Sequence, residues 1–266
     1  MKLLKFCLIP IALIITSCTT FKVPMTAGDQ SKAGSYGYHP LDPLPVKIES
    51  RNDQIMTNTR LLKALPDETM RLAIGQVSGS VGITYGPATV GYEGNSYVVI
   101  LDYVKFNTES FAVKLSEPDS KNERKATLVE PGVAGDNIVI VPVYVGVGLR
   151  LTANITVIKG KVNLGNLFAI GAEATAQKIS GTLVVQTLGV SGENISSLIP
   201  MPSELNATTI QNAIMALGSI KAKLYDDKTT ISPRVVGVYN NLGGGAETIN
   251  GFISSILERP KVLNVP

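Results

Sequence analysis

The sequence predicts an α+β fold: a mainly antiparallel β-sheet with about three α-helices packed on one face. Three observations predict it. From Val143 to Val157 every odd position is apolar, whereas the even positions Tyr144, Gly146, Gly148, Arg150, Thr152, Asn154 and Thr156 are mostly small or polar. Successive strand side chains point to opposite faces, so this is one strand with one oily face. At about 3.3 Å per residue it reaches roughly 50 Å, well beyond the usual strand of about 5–6 residues. Strand patterns then dominate from Gly75 to Val190, and 3.6-residue periodicity enters after Gly160. Finally, 25 Gly and 15 Pro supply many turns and strand ends.

In chain order, residues 19–50 read as an extended tether, with Gly28, Gly34, Gly37, Pro40, Pro43 and Pro45 and little periodicity. Within it, the run from Tyr36 through Tyr38 and His39 to Pro45 is extended, because a residue before proline avoids the helical region. It reads as linker, with partner binding through Tyr36 and Tyr38 as the alternative. A short helix is expected over 53–64, ended by Pro66. Val77, Val81, Ile83 and Tyr85 alternate as strands. Ser96–Phe106 is apolar on both faces, which marks a central strand, and Phe111, Val113 and Leu115 alternate again. Residues 117–125 are a charged loop. Pro142, lacking an N–H, predicts a bulge or an edge in the long strand.

Beyond Gly160, a helix is expected over 164–178, where Gly165, Ala169, Ala172 and Ala176 form a stripe of small residues. Ile179–Val190 and Ile231–Tyr239 are expected strands. Between them Ile210, Ala213, Ile214, Leu217, Ile220 and Leu224 make a helical face, with Thr208 and Gln211 at capping-box spacing. A last helix shows Ile249, Phe252, Ile253, Ile256 and Leu257 on one side. Glu247 suits its first turn, Arg259 its C-terminal dipole, and Pro260 ends it.

The chain has 266 residues, enough for a substantial core, and at 44% hydrophobic and 17% charged it is apolar enough to fold. The net charge is +3. Two of its 24 basic residues, Lys2 and Lys5, precede an apolar run from Phe6 to Ile15. That run is shorter than the ~20 residues of a spanning helix and has the form of a secretory signal peptide. Without those two lysines the charges nearly balance the 21 acidic residues, so no basic surface points to nucleic acid.

The signal ends in Ile15-Thr16-Ser17-Cys18, a branched apolar residue, two small residues and a cysteine. This tetrapeptide resembles the lipobox of bacterial lipoproteins. The resemblance covers only about the first 18 residues and implies cleavage between Ser17 and Cys18 and diacylglycerol on the Cys18 thiol. The membrane, through that anchor, is then the first partner. Two or three acyl chains at ~0.8 kcal/mol per buried CH₂ hold a protein firmly, whereas one does not. Thr19, rather than an acidic residue, follows Cys18. In a Gram-negative cell that resembles lipoproteins sorted to the outer membrane; in a Gram-positive cell the anchor lies in the cell membrane. The expected division is a signal peptide over 1–17, a lipidated tether over 18–50 and a single α+β domain over 51–266.

Little points to catalysis. The two cysteines are Cys7, inside the signal, and Cys18, leaving no thiol, disulfide or cysteine metal ligand in the mature chain. One histidine, His39, lies in the expected tether, a poor place to hold a general base, and a zinc site would need carboxylates almost alone. Gly243-Gly244-Gly245 before the last helix lacks the Gly-Lys-Ser/Thr ending of a phosphate loop. The pairs Asp67-Glu68 and Asp226-Asp227 sit at element ends and read as solvated charges. No cofactor, metal or catalytic residue is assigned. The expected role is a non-enzymatic binding or assembly component with an unidentified protein partner. The alternatives are a subunit of an outer-membrane pore or export complex, and a hydrolase that works without histidine. Arg150, on the even face of the long strand, is expected in water or against a partner.

Overall fold

The computed structural model describes residues 37–50, 55–79, 82–86, 89–130, 132–133, 135–169 and 173–265. The chain begins with β1 (Gly37–Leu44), β2 (Lys47–Ser50), α1 (Asn58–Lys63), β3 (Asp67–Ser78), β4 (Gly82–Gly86) and β5 (Val90–Tyr92). It continues through β6 (Ser96–Leu115), β7 (Ala126–Val129), β8 (Ile138–Val157), β9 (Lys161–Asn163), a 3₁₀ turn (Leu164–Asn166), α2 (Glu173–Ala176) and β10 (Ile179–Leu188). Then come β11 (Val190–Ser191), α3 (Glu193–Ser196), β12 (Ser203–Glu204), α4 (Ala207–Lys223), β13 (Thr230–Ile231), β14 (Arg234–Asn240), α5 (Ala246–Glu258) and β15 (Val262–Val265). The fold is α+β, dominated by a mainly antiparallel sheet.

Two 20-residue strands, β6 and β8, form the axis of that sheet. They pair without a break from Ser96↔Thr156 to Lys114↔Ile138. Each is long enough to carry two shorter strands end to end on its outer edge. β8 holds β14 along Val143–Gly146 and β10 along Gly148–Val157. β6 holds β3 along Tyr97–Phe106 and β7 along Ala112–Leu115. Pro142 lies just beyond the last β8 residue paired with β14, where the strand has β6 as its neighbour. The missing N–H therefore removes no ladder bond on the β14 side, and the expected edge is local.

The odd positions of β8 are buried in the main core, as alternation predicts. The helices close that face: Leu61 and Leu62 of α1, Ile195 of α3, Ile210 and Ile220 of α4 and Phe252 of α5 all join the same cluster. Each such side chain contributes about 1.5–3 kcal/mol on burial, and short helices depend on this packing for stability.

The middle of the even face, from Tyr144 to Arg150, is covered as well. The sheet curls until its terminal strands meet, with the His39 ring of β1 edge-on to Tyr85 of β4 at 5.0 Å between centroids. Inside the curl lies a second apolar cluster that includes Tyr38, Ile100, Val104, Phe106, Tyr144 and Val236. Glycines let neighbouring strands coil closely. A Cβ on Gly148 would overlap the Tyr103 carbonyl, and one on Gly237 would overlap the Tyr38 ring.

Three expectations change. Residues 37–50, expected within an extended tether, form β1, paired with β14, and β2, paired in parallel with β15. Burial of Tyr38, Leu41 and Leu44 is what fastens β1 to the body. Where a helix was expected over 164–178, the described residues form only the 3₁₀ turn and the four-residue α2. There Asn163 accepts a hydrogen bond from the Gly165 N–H at 3.0 Å, and Leu164 and Leu167 are buried three residues apart, a 3₁₀ spacing. Third, α4 is capped by Asn206 and Thr209, not Thr208 and Gln211. Each side-chain oxygen accepts from the other's backbone N–H, both at 3.0 Å.

Candidate functional site

Across the middle of the curled face one row of register partners crosses four strands: Arg71 of β3, Asp102 of β6, Arg150 of β8 and Gln186 of β10. Asp102 is 0% exposed and Arg150 4%. Arg150 grips Asp102 side-on, Nε to Oδ1 and Nη2 to Oδ2, both at 2.7 Å. Its remaining N–H groups donate to the Leu41 carbonyl at 2.8 Å and the Val236 carbonyl at 3.1 Å. The Tyr38 hydroxyl donates to Asp102 Oδ2. One guanidinium thus ties β8 to β6, β14 and β1.

The electrostatics follow from this geometry. Burial opposes the Arg150 charge, but the hydrogen bonds and charge of Asp102 outweigh it and hold the guanidinium above its ordinary pKa. Burial first, and then the Asp102 charge, push the Tyr38 phenol well above its ordinary value. Burial, aided by repulsion from Arg150, lowers His39 to about 4. A neutral imidazole therefore faces Tyr85 at pH 7. Both Asp102 oxygens are occupied and both side chains are buried, so the pair locks strands together.

This corrects the expectation for Arg150. It faces neither water nor a partner, because β1 folds over the even positions at this point. Further along β8, Asn154 and Thr156 do reach solvent. Tyr38 is likewise buried against Asp102 instead of being offered on a linker. Ser17, Cys18 and Tyr36 lie outside the described residues. Asp102 was not singled out from the sequence, although a lone carboxylate in the apolar run from Tyr97 to Val104 is a visible signal.

The Gly243–Gly245 loop does meet an anion, and the anion is the chain's own. Glu123 Oε2 accepts from the N–H groups of Gly245 and Thr248 at 3.0 Å and from the Thr248 hydroxyl at 2.9 Å. Its slight desolvation is outweighed by these bonds, which lower its pKa. The helix terminus is thereby satisfied internally. Beside it, a cleft of about 480 Å³ opens between residues 116–126 and α5, lined among others by Glu117, Asp119, Arg124, Lys125 and Ser255. Asp119 is engaged by the N–H groups of Lys121 and Glu123, both at 2.8 Å. Glu68 pairs with Lys221, and Asp226 accepts from the Lys228 N–H at 2.9 Å, consistent with charges at element ends. Among the described residues no three His, Cys, Asp or Glu side chains converge to hold a metal ion, and no helix is long and apolar enough to cross a membrane.

Comparison with protein-family models, with curated proteins and with solved structures finds no match to this chain.

Proposed function

We propose that the chain is a bacterial envelope lipoprotein, held at the outer membrane by acyl chains on Cys18, whose folded domain binds a protein partner without catalysing a reaction. The observation that carries this reading is the signal run closed by Ile15-Thr16-Ser17-Cys18. Residues 19–36 lie between the lipid site and β1. At about 3.6 Å per residue they span at most roughly 65 Å, so the domain can engage a partner away from the bilayer surface. The non-enzymatic reading is supported by the internal engagement of Asp102, Arg150 and Glu123. The binding reading is supported over a pore-forming hairpin by β8 itself, which packs its odd face on helices and the middle of its even face, from Tyr144 to Arg150, inside the curl closed by β1.

Metabolic labelling with palmitate tests the anchor. The wild-type chain takes up label and fractionates with the outer membrane, whereas Cys18→Ala takes up none; label that persists in Cys18→Ala sinks the reading. Crosslinking in intact envelopes then tests the partner, and a protein found by crosslinks from the described domain identifies what it binds.

A further inference from the structure

Arg71 is the unexplained member of the cross-strand row. Its side chain lies on the curled face beside Ala73, and its register partner Asp102 already has both oxygens occupied by Arg150 and Tyr38. The Arg71 guanidinium instead lies over the Tyr144 ring, 5.1 Å from its centroid. Its Nε is shielded from solvent and has no hydrogen-bond partner, and no carboxylate among the described residues pairs with it. A shielded donor left unpaired is costly, and native structures leave few of them.

The surroundings supply further donors. Tyr144 packs on Phe106 at 5.1 Å and on Tyr38 at 5.7 Å, and Tyr239, the register partner of Tyr38, packs against the same cluster. Neither the Tyr144 nor the Tyr239 hydroxyl has a partner among the described residues, and both Arg71 and Tyr239 are partly open to solvent. The molecule contains its own template for this donor set. A few residues away, one arginine fork and one tyrosine hydroxyl hold the Asp102 carboxylate. Arg71 with the Tyr144 and Tyr239 phenols repeats those donor types without the carboxylate. A guanidinium over a ring face can still meet a planar anion through its in-plane N–H groups.

We propose that Arg71, Tyr144 and Tyr239 form a binding site for the carboxylate of a small ligand whose apolar part lies against the aromatic rings at this end of the curl. The site is independent of the lipid anchor. Arg71 supplies charge and the fork, the phenols supply hydroxyl donors, and Phe106 backs the ring surface.

The test is a titration of the full chain in non-ionic detergent, with ring-labelled tyrosine followed by NMR and benzoate as the probe. Tyr144 and Tyr239 resonances are expected to shift saturably at millimolar benzoate, while Tyr38 stays in place and reports the intact fold. Arg71→Met, which keeps the apolar stem, should weaken binding about tenfold or more, the loss expected of one charge-assisted fork. Should that variant not fold, Tyr239→Phe, at a half-buried position, is expected to weaken binding about threefold or more. No saturable shift in the wild-type chain overturns the site. So does equal affinity in a folded Arg71→Met variant, or inorganic phosphate binding more tightly than benzoate.

Discussion

Asp102 and Arg150 show how much depends on pairing that only the folded chain provides. Each ion alone in this interior has a desolvation cost of several kcal/mol, and the two are tolerable because four donors and a phenol saturate them. Arg150→Met, which strands the carboxylate, should lower stability by about 3–5 kcal/mol. Replacing both, as Asp102→Leu with Arg150→Met, should recover most of that loss, because an apolar pair needs no desolvation. Urea denaturation of the two singles and the double reads the coupling; losses that simply add would show that the residues do not act as a pair. Both residues were visible in the sequence, one as a charge in an apolar run and the other as a polar position in an alternating strand. Their contact was not. It depends on a register set by the connection from Ser116 to Asn137, which carries no periodic signal.

At the scale of elements, periodicity read the strong cases well. The apolar stripe of α4 and that of α5 are buried as their spacing requires, through Ile210, Leu217 and Ile220 and through Ile249, Phe252 and Ile256. The alternation in β8 assigned its odd face to the core. It could not show that the even face is also covered, because glycines and an arginine on a strand look the same whether solvent or another strand lies above them. Gly146 and Gly148 report instead how tightly the sheet coils: a Cβ at either meets backbone of the adjacent strand β6. Gly148→Ala should destabilise by roughly 1–3 kcal/mol or more, since backbone, unlike a flexible side chain, cannot give way. The thermal midpoint measures it, and an unchanged midpoint would mean that β8 is less tightly coiled here. The segment over 164–178 misled because small residues at helical spacing are consistent with a helix but contribute little to holding one together. Burial of Leu164 and Leu167 at 3₁₀ spacing decides the local geometry instead.

For the whole molecule, β1 is the element that turns an open sheet into a curl. It pairs with β14, accepts Arg150 through the Leu41 carbonyl, and brings His39 to Tyr85 on the opposite terminal strand. His39 has a folded pKa near 4 against about 6.5 when unfolded. Its neutral form is therefore favoured by the fold. The stabilisation is fully present above about pH 6.5, and is lost as the pH falls from there through about 4. The total is on the order of 3 kcal/mol. His39→Asn should reduce the fall in urea midpoint between neutral pH and the folded pKa. A variant whose pH profile matches the wild type would place the imidazole in water.

What the sequence determined by itself is local and periodic: the apolar run that leads to Cys18, the oily odd face of Val143–Val157 and the helical stripes that need a surface. These are properties of spacing along the chain, and spacing survives without knowledge of neighbours. The tertiary structure alone decided that residues 37–50 belong to the body, that Asp102 answers Arg150, that Glu123 occupies the glycine loop, and that Arg71 is left with donors and no acceptor. Each of these joins residues tens of positions or more apart. Such contacts are set by strand order, register and curl, and those depend on how the whole chain buries its apolar surface at once.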